Sequence, residues 1–205
     1  MTALATGVAV ASLFAAAGWA GTMLSERLYG GLQPECDGPA PVAVARWVFV
    51  AGAAGIGFVT GMHELPAWQL ALLAIAVTCL AGGAATDVRV GLIPNWFTVG
   101  PLVLVLAIAA ARHDLAPPLG ALAGLLPFAA LALASRGRGM GWGDVKLAAL
   151  GGALVGTAGI FLAVAVAAAA AYAVARAGGR LRQPIAFGPY LAASIGAVLS
   201  LGTAW

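Results

Sequence analysis

Charge is what this sequence has least of. Its 205 residues include 7 Asp or Glu and 10 Lys or Arg, 8% in all, where a soluble domain carries about 25%. With 62% hydrophobic residues and a mean hydropathy of +1.01, the composition excludes a soluble globular domain and places the chain in a membrane. Cysteine is nearly absent as well. Cys36 and Cys79 are too few for a disulfide framework or a four-thiolate zinc site, and Cys79 sits in an apolar run as a small hydrophobe. His63 and His113 stand alone in separate loops, so neither a metal nor a cofactor is expected. The positive balance, +3 with pI ≈ 9.3, comes from bases scattered over many loops and not from one basic face, which excludes a nucleic-acid partner. The first apolar stretch has no basic n-region, its first base being Arg27 after the stretch has ended. It reads as a retained helix and not as a signal peptide.

Apolar runs near the spanning length of about 17 to 25 residues predict helices near 4–24, 46–62, 66–86, 96–111, 118–135, 145–156, 158–176 and 187–204. The expected fold is an all-α polytopic membrane bundle of about eight transmembrane helices, forming one membrane-embedded domain over 1–205 with no soluble domain. The sixth segment is short and interrupted by Gly151, Gly152 and Gly156, so a half-helix or a re-entrant segment buried among its neighbours is the alternative there. With eight spans and the N-terminus outside, Arg27, Arg46, Arg89, Arg136, Arg138, Lys146, Arg176, Arg180 and Arg182 fall on the cytoplasmic side and Arg112 alone outside. That asymmetry favours both termini outside. Trp47, Trp68, Trp96 and Trp205 near helix ends suit an aromatic belt, and Gly120-xxx-Gly124 and Gly152-xxx-Gly156 suit close helix packing.

Against this apolar background Asp87 and Asp144 stand out. Each sits at a helix end in a distinctive frame: Asp87-Val-Arg-Val-Gly-Leu-Ile-Pro94-Asn95 and Gly139-Met-Gly141-Trp-Gly143-Asp144-Val-Lys146-Leu147. Ionisable groups beside a bilayer are costly to keep, and a pair of the same kind points to shared acid/base work. The topology puts both at the cytoplasmic surface. Asp144 before an apolar run also fits a helix N-cap. Asp87 ends a helix, where the macrodipole disfavours a carboxylate, and is harder to explain structurally. Asn95 after Pro94 is expected to cap the following helix. Gly139, Gly141 and Gly143 are either plain loop glycines or an extended or positive-φ stretch that lets a peptide approach closely. Lys146 either snorkels to lipid phosphates or tunes the carboxylates.

These two frames, followed by Pro184-Ile-Ala-Phe187-Gly188-Pro189, resemble the type IV prepilin peptidases, bacterial GxGD aspartic proteases, in the same motif order. The similarity covers rather more than half of the chain, from near Thr86 to the last span. The resemblance implies that Asp87 and Asp144 match the catalytic aspartates. It implies an aspartic endopeptidase in a bacterial cytoplasmic (inner) membrane, cleaving basic leaders from prepilins or pseudopilins, with membrane lipid as its surroundings. Full-length members carry paired Cys-x-x-Cys motifs, associated with N-methylation, in the loop after the first helix. Here that loop, about Ser25 to Ala45, holds only Cys36, so methyl transfer is not expected and the chain resembles the short, peptidase-only forms. Ala186 stands where a second proline is frequent. Glu26, Glu35 and Asp37 in the same loop are either leader-attracting acids or merely solvated. A proton- or ion-coupled transporter and a catalytically inactive assembly scaffold remain the alternatives.

Overall fold

A chain with so little polar side chain must satisfy its backbone internally once it lies in lipid. The computed structural model, which describes residues 2–29, 42–63, 65–135, 140–179 and 186–202, is all-helical, with no strand among the described residues. Among the described residues seven helices follow one another: α1 (Thr2–Tyr29), α2 (Val42–Thr60), α3 (Ala67–Val90), α4 (Asn95–Ala111), α5 (Ala116–Ala134), α6 (Trp142–Ala177) and α7 (Gly188–Ser200). Four stretches, Ala3–Tyr29, Ala67–Val90, Ala116–Ala134 and Trp142–Ala177, are long and apolar enough to cross a membrane. The helices Arg46–Thr60, Asn95–Ala111 and Gly188–Ser200 are apolar but shorter.

The separately expected segments 145–156 and 158–176 are the two arms of α6. Its 36 residues would run about 54 Å if straight, well beyond a hydrocarbon core of about 30 Å. The helix breaks at Gly156, whose φ of 74° and ψ of 179° belong to a region that is essentially glycine's alone. Beyond the break the chain folds back, since a Cβ on Gly151 would lie 3.0 Å from Ile160 Cδ1, whereas nine residues of straight helix would separate them by about 13 Å. Gly156 is therefore a break as well as a packing contact, its Cα lying 3.1 Å from where a Cβ on Gly120 would be. The first arm is buried on all sides, from Leu147 through Val155, as an apolar helix at the centre of a bundle should be.

Small residues set the crossings. A Cβ on Gly120 would collide with the carbonyl oxygen of Gly152, and one on Gly124 with that of Ala148, so α5 runs antiparallel to the first arm of α6 at backbone contact. Gly57 faces Phe14 and Gly18 faces Ala53, making α1 and α2 an antiparallel pair, while Gly21 lies on Thr78 and Gly82. Four residues on, Ser25 Oγ and Thr86 Oγ1 hydrogen-bond at 2.8 Å. This register makes α1 parallel to α3 and fixes the helix turn that carries Asp87.

Those directions gather one set of helix ends. The C-terminus of α3 and the N-termini of α4, α6 and α7 converge, with Glu26 of α1 paired to Arg46 of α2 and, at 4.0 Å, to Arg89 of α3. At the far end of α3 and α4, the Arg112 guanidinium lies 4.6 Å above the Trp68 ring, a cation–π contact. Of the expected aromatic belt, Trp47, Trp68 and Trp96 are exposed, and Trp205 lies outside the described residues. Trp142, at the start of α6 and also exposed, joins them.

Candidate active site

Both aspartates lie inside helices and not in the loops beside them. α3 continues past residue 86 because nothing stops its backbone ladder until Gly91, whose left-handed φ of 66° and ψ of 22° end it with a bond from its N–H to Asp87 O at 2.9 Å. Asp87 therefore occupies the last turn of α3, where the residue is 8% exposed. α6 begins at Trp142 after an extended Gly141 (φ −76°, ψ 147°), so Asp144 sits in the first turn and is not the N-cap. Its carboxylate instead receives a backbone hydrogen bond from Gly141, the reach-back half of a capping box. A negative charge suits that helix end.

Asp87 has the opposite problem, a carboxylate against the negative end of α3. The compensation comes from α7, whose first residue, Gly188, donates its N–H to Asp87 Oδ2 at 3.1 Å. The approach is close enough to require glycine. A Cβ on Gly188 would stand 2.6 Å from Asp87 Oδ2 and 2.8 Å from Ile93 Cδ1. Ile93, 7% exposed, is the wedge of the site: it also lies 3.0 Å from where a Cβ on Gly143 would be and 3.4 Å from one on Gly83. One side chain of the α3–α4 connection thus seats the helices that carry both carboxylates.

Asp87 and Asp144 face a common cleft of ≈ 470 Å³, lined also by Gly91, Leu92, Ile93, Pro94, Asn95, Gly141, Trp142, Gly143 and Lys146. The two carboxylates are near enough to act on each other electrostatically. Like charges so placed resist joint ionisation, and a pair of this kind titrates as a unit. With one proton on the pair, one carboxyl is an acid and the other carboxylate a base, which is what simultaneous general acid and general base action requires.

Of the residues singled out from sequence, the structure brings Asp87, Asp144, Gly141, Gly143 and Lys146 to this cleft. Gly141 is extended, as the close-approach reading asks, but Gly143 is helical, and neither has positive φ. Gly143 is small because Ile93 packs on it. Glu26 lies elsewhere, held by Arg46 and Arg89, so its charge is answered within the protein. Gly139, Glu35 and Asp37 lie outside the described residues. Asn95 is not the cap of α4. That place is taken by Pro94 with no side-chain cap bond, while the Asn95 amide oxygen accepts a hydrogen bond from Lys146 Nζ at 2.7 Å. Sequence reasoning missed Gly188, Ile93 and the chemistry of Asn95. The glycine in Phe187-Gly188-Pro189 was the one local signal available, a residue free of side chain where a helix begins. Among the described residues no group of three or more His, Cys, Asp or Glu is placed to hold a metal ion.

The model of the Type IV leader peptidase family matches residues 72–175, a stretch that contains both aspartates. A Bacillus subtilis (strain 168) protein named prepilin leader peptidase/N-methyltransferase is 36% identical over 168 residues, which is 76% of this chain and 62% of that relative. The chain thus spans somewhat under two thirds of the relative's length. No solved structure matches.

Proposed function

The chain belongs to the type IV leader peptidase family, and from that membership we propose that it is a membrane aspartic endopeptidase that removes the basic leader from type IV prepilins or pseudopilins, with Asp87 and Asp144 as its catalytic pair. The observation that carries this reading is the meeting of two carboxylates from distant parts of the chain in one cleft, each held by a backbone N–H, Asp87 from Gly188 and Asp144 from Gly141. In the reaction a water between the carboxylates attacks the scissile carbonyl carbon. Its proton passes to the ionised partner while the shared proton goes to the carbonyl oxygen. Collapse of the tetrahedral intermediate breaks the C–N bond, and a proton returns to the departing amine. Base and acid belong to the pair and not to either residue alone.

The same proposal extends to location. In it the chain crosses eight times, counting the arms of α6 separately, with both termini outside and the cleft at the cytoplasmic face of the bacterial inner membrane. Supporting it are Arg27, Arg46, Arg89 and Lys146 at the helix ends around the site and Arg112 at the other end of α4. A reporter at Arg138 should read cytoplasm and one at His113 exterior, and the same side for both would remove the eight-span arrangement. Methyl transfer is not part of the proposal, because the sequence has no Cys-x-x-Cys pair. A transporter is disfavoured by the position of both aspartates at helix ends and not at mid-helix. Co-expression with a leader-bearing prepilin tests the activity: the substrate should shorten from its N-terminus, and an unprocessed substrate in the presence of folded protein would refute the peptidase reading.

A further inference from the structure

Asn95 and Lys146 join the first turn of α4 to the second turn of α6 across the cleft, the Lys146 ammonium donating to Asn95 Oδ1 at 2.7 Å. Both side chains line the same cleft as Asp87 and Asp144. An ammonium can only donate, so this bond turns the amide oxygen toward Lys146 and leaves the two N–H donors of Nδ2 for another acceptor. The local backbone gives no reason for the amide, since the N-cap of α4 is Pro94 and no side-chain cap bond forms. A tie at a wet edge contributes little stability.

The chemistry of the cleft supplies a reason. Among the described side chains that line it, Asp87 and Asp144 are acceptors when ionised, Leu92, Ile93 and Pro94 are apolar, and the donors are the Asn95 amide, the Lys146 ammonium and the Trp142 indole. A peptide entering the cleft gives up water from its backbone carbonyls and needs donors in return. The catalytic pair can offer at most its shared proton, and that proton is committed to the scissile carbonyl. We propose that Asn95 Nδ2 donates to a backbone carbonyl oxygen of the substrate next to the scissile bond, and that Lys146 is a positioning residue that holds the amide in the donating orientation.

The inference rests on the peptidase reading, and cleavage of a leader-bearing peptide by the unaltered full-length protein is the baseline that separates the two: no cleavage there overturns the peptidase reading itself. Given that baseline, Asn95→Ala should lower kcat/KM by about 3- to 10-fold, the loss of one neutral hydrogen bond to the substrate at an exposed edge of the cleft. Asn95→Asp is the decisive variant. It converts the contact with Lys146 into an ion pair, so the tie between helices persists while the donor is gone, and the loss should match that of Asn95→Ala. Lys146→Met should cost activity, Lys146→Arg should recover part of that loss, and Asn95→Ala with Lys146→Met together should be no worse than Asn95→Ala alone. The pH–rate limbs of Lys146→Met should stay where they are. Full activity of Asn95→Asp, losses that multiply in the double variant, or displaced pH limbs in Lys146→Met would each overturn the proposal, the last by showing that the ammonium acts directly on the carboxylates.

Discussion

Gly188→Ala isolates the seat of Asp87 from the rest of the fold. The added Cβ would stand 2.6 Å from Asp87 Oδ2, where a carbon and an oxygen settle at about 3.3 Å or more, so the carboxylate must retreat by roughly 0.7 Å. Its hydrogen bond from Gly188 N–H, now 3.1 Å, stretches or breaks. Both atoms in the way, Asp87 Oδ2 and Ile93 Cδ1 at 2.8 Å, are side-chain tips and not backbone. The fold should therefore adjust at a cost of about 1 to 3 kcal/mol. The chemistry is less tolerant: misplacing a reacting group by about 1 Å costs on the order of 100-fold. The expected result in a leader-cleavage assay is a kcat reduced by about that factor, with KM changed far less. Gly52→Ala and Gly100→Ala are matched controls, for no atom of another element among the described residues lies within 4 Å of a Cβ at either position, and both should retain normal turnover. Unimpaired kcat in folded Gly188→Ala would refute the claim that the first residue of α7 positions Asp87.

Three further outcomes follow from the same structure. Gly156→Ala forces a side chain into φ 74°, ψ 179° and should destabilise the protein by about 1 to 3 kcal/mol, read as a lowered Tm in detergent; an unchanged Tm would remove the sharp break in α6. Activity should follow a bell-shaped pH profile, because the doubly protonated and doubly ionised pairs are both inactive; a profile with one limb would mean that a single carboxylate suffices. Glu35→Gln with Asp37→Asn should raise the KM for a basic leader at low ionic strength, an effect fading with added salt as the Debye length shrinks below about 10 Å, whereas Glu26→Gln should raise it less because Arg46 and Arg89 already hold that acid. Equal effects of the two changes would contradict this.

Asp87 and Asp144 were legible in the sequence because charge is so scarce that each acid outside the polar loops demands a reason. Helix positions were legible within a few residues from hydropathy alone, but hydropathy sees the apolar run and not the backbone ladder. α3 therefore carries on through Asp87 and Arg89 to Gly91, and α6 starts before Asp144. Spacing found the contact at Gly156, whose Cα lies 3.1 Å from where a Cβ on Gly120 would be, but not the break in α6 at the same residue. Gly120 and Gly124 do pack, on the carbonyls of Gly152 and Ala148. Asn95 after a proline has the local signature of a cap, yet Lys146 claims its oxygen, and that partner is fixed by how α4 meets α6. The bond from Gly188 to Asp87 and the pairing of Glu26 with Arg46 and Arg89 arise in the same way from tertiary approach, which no local pattern encodes.

The shared-proton pair itself is tested most directly by purifying Asp87→Asn and Asp144→Asn and measuring cleavage of a leader-bearing substrate beside the unaltered protein, with Tm as the check on folding. The amide keeps the size and shape of the carboxyl but cannot exchange its proton, so each variant should fold and show no cleavage above the substrate's own background. Near-normal cleavage by either folded variant would contradict the assignment of Asp87 and Asp144 as the catalytic pair.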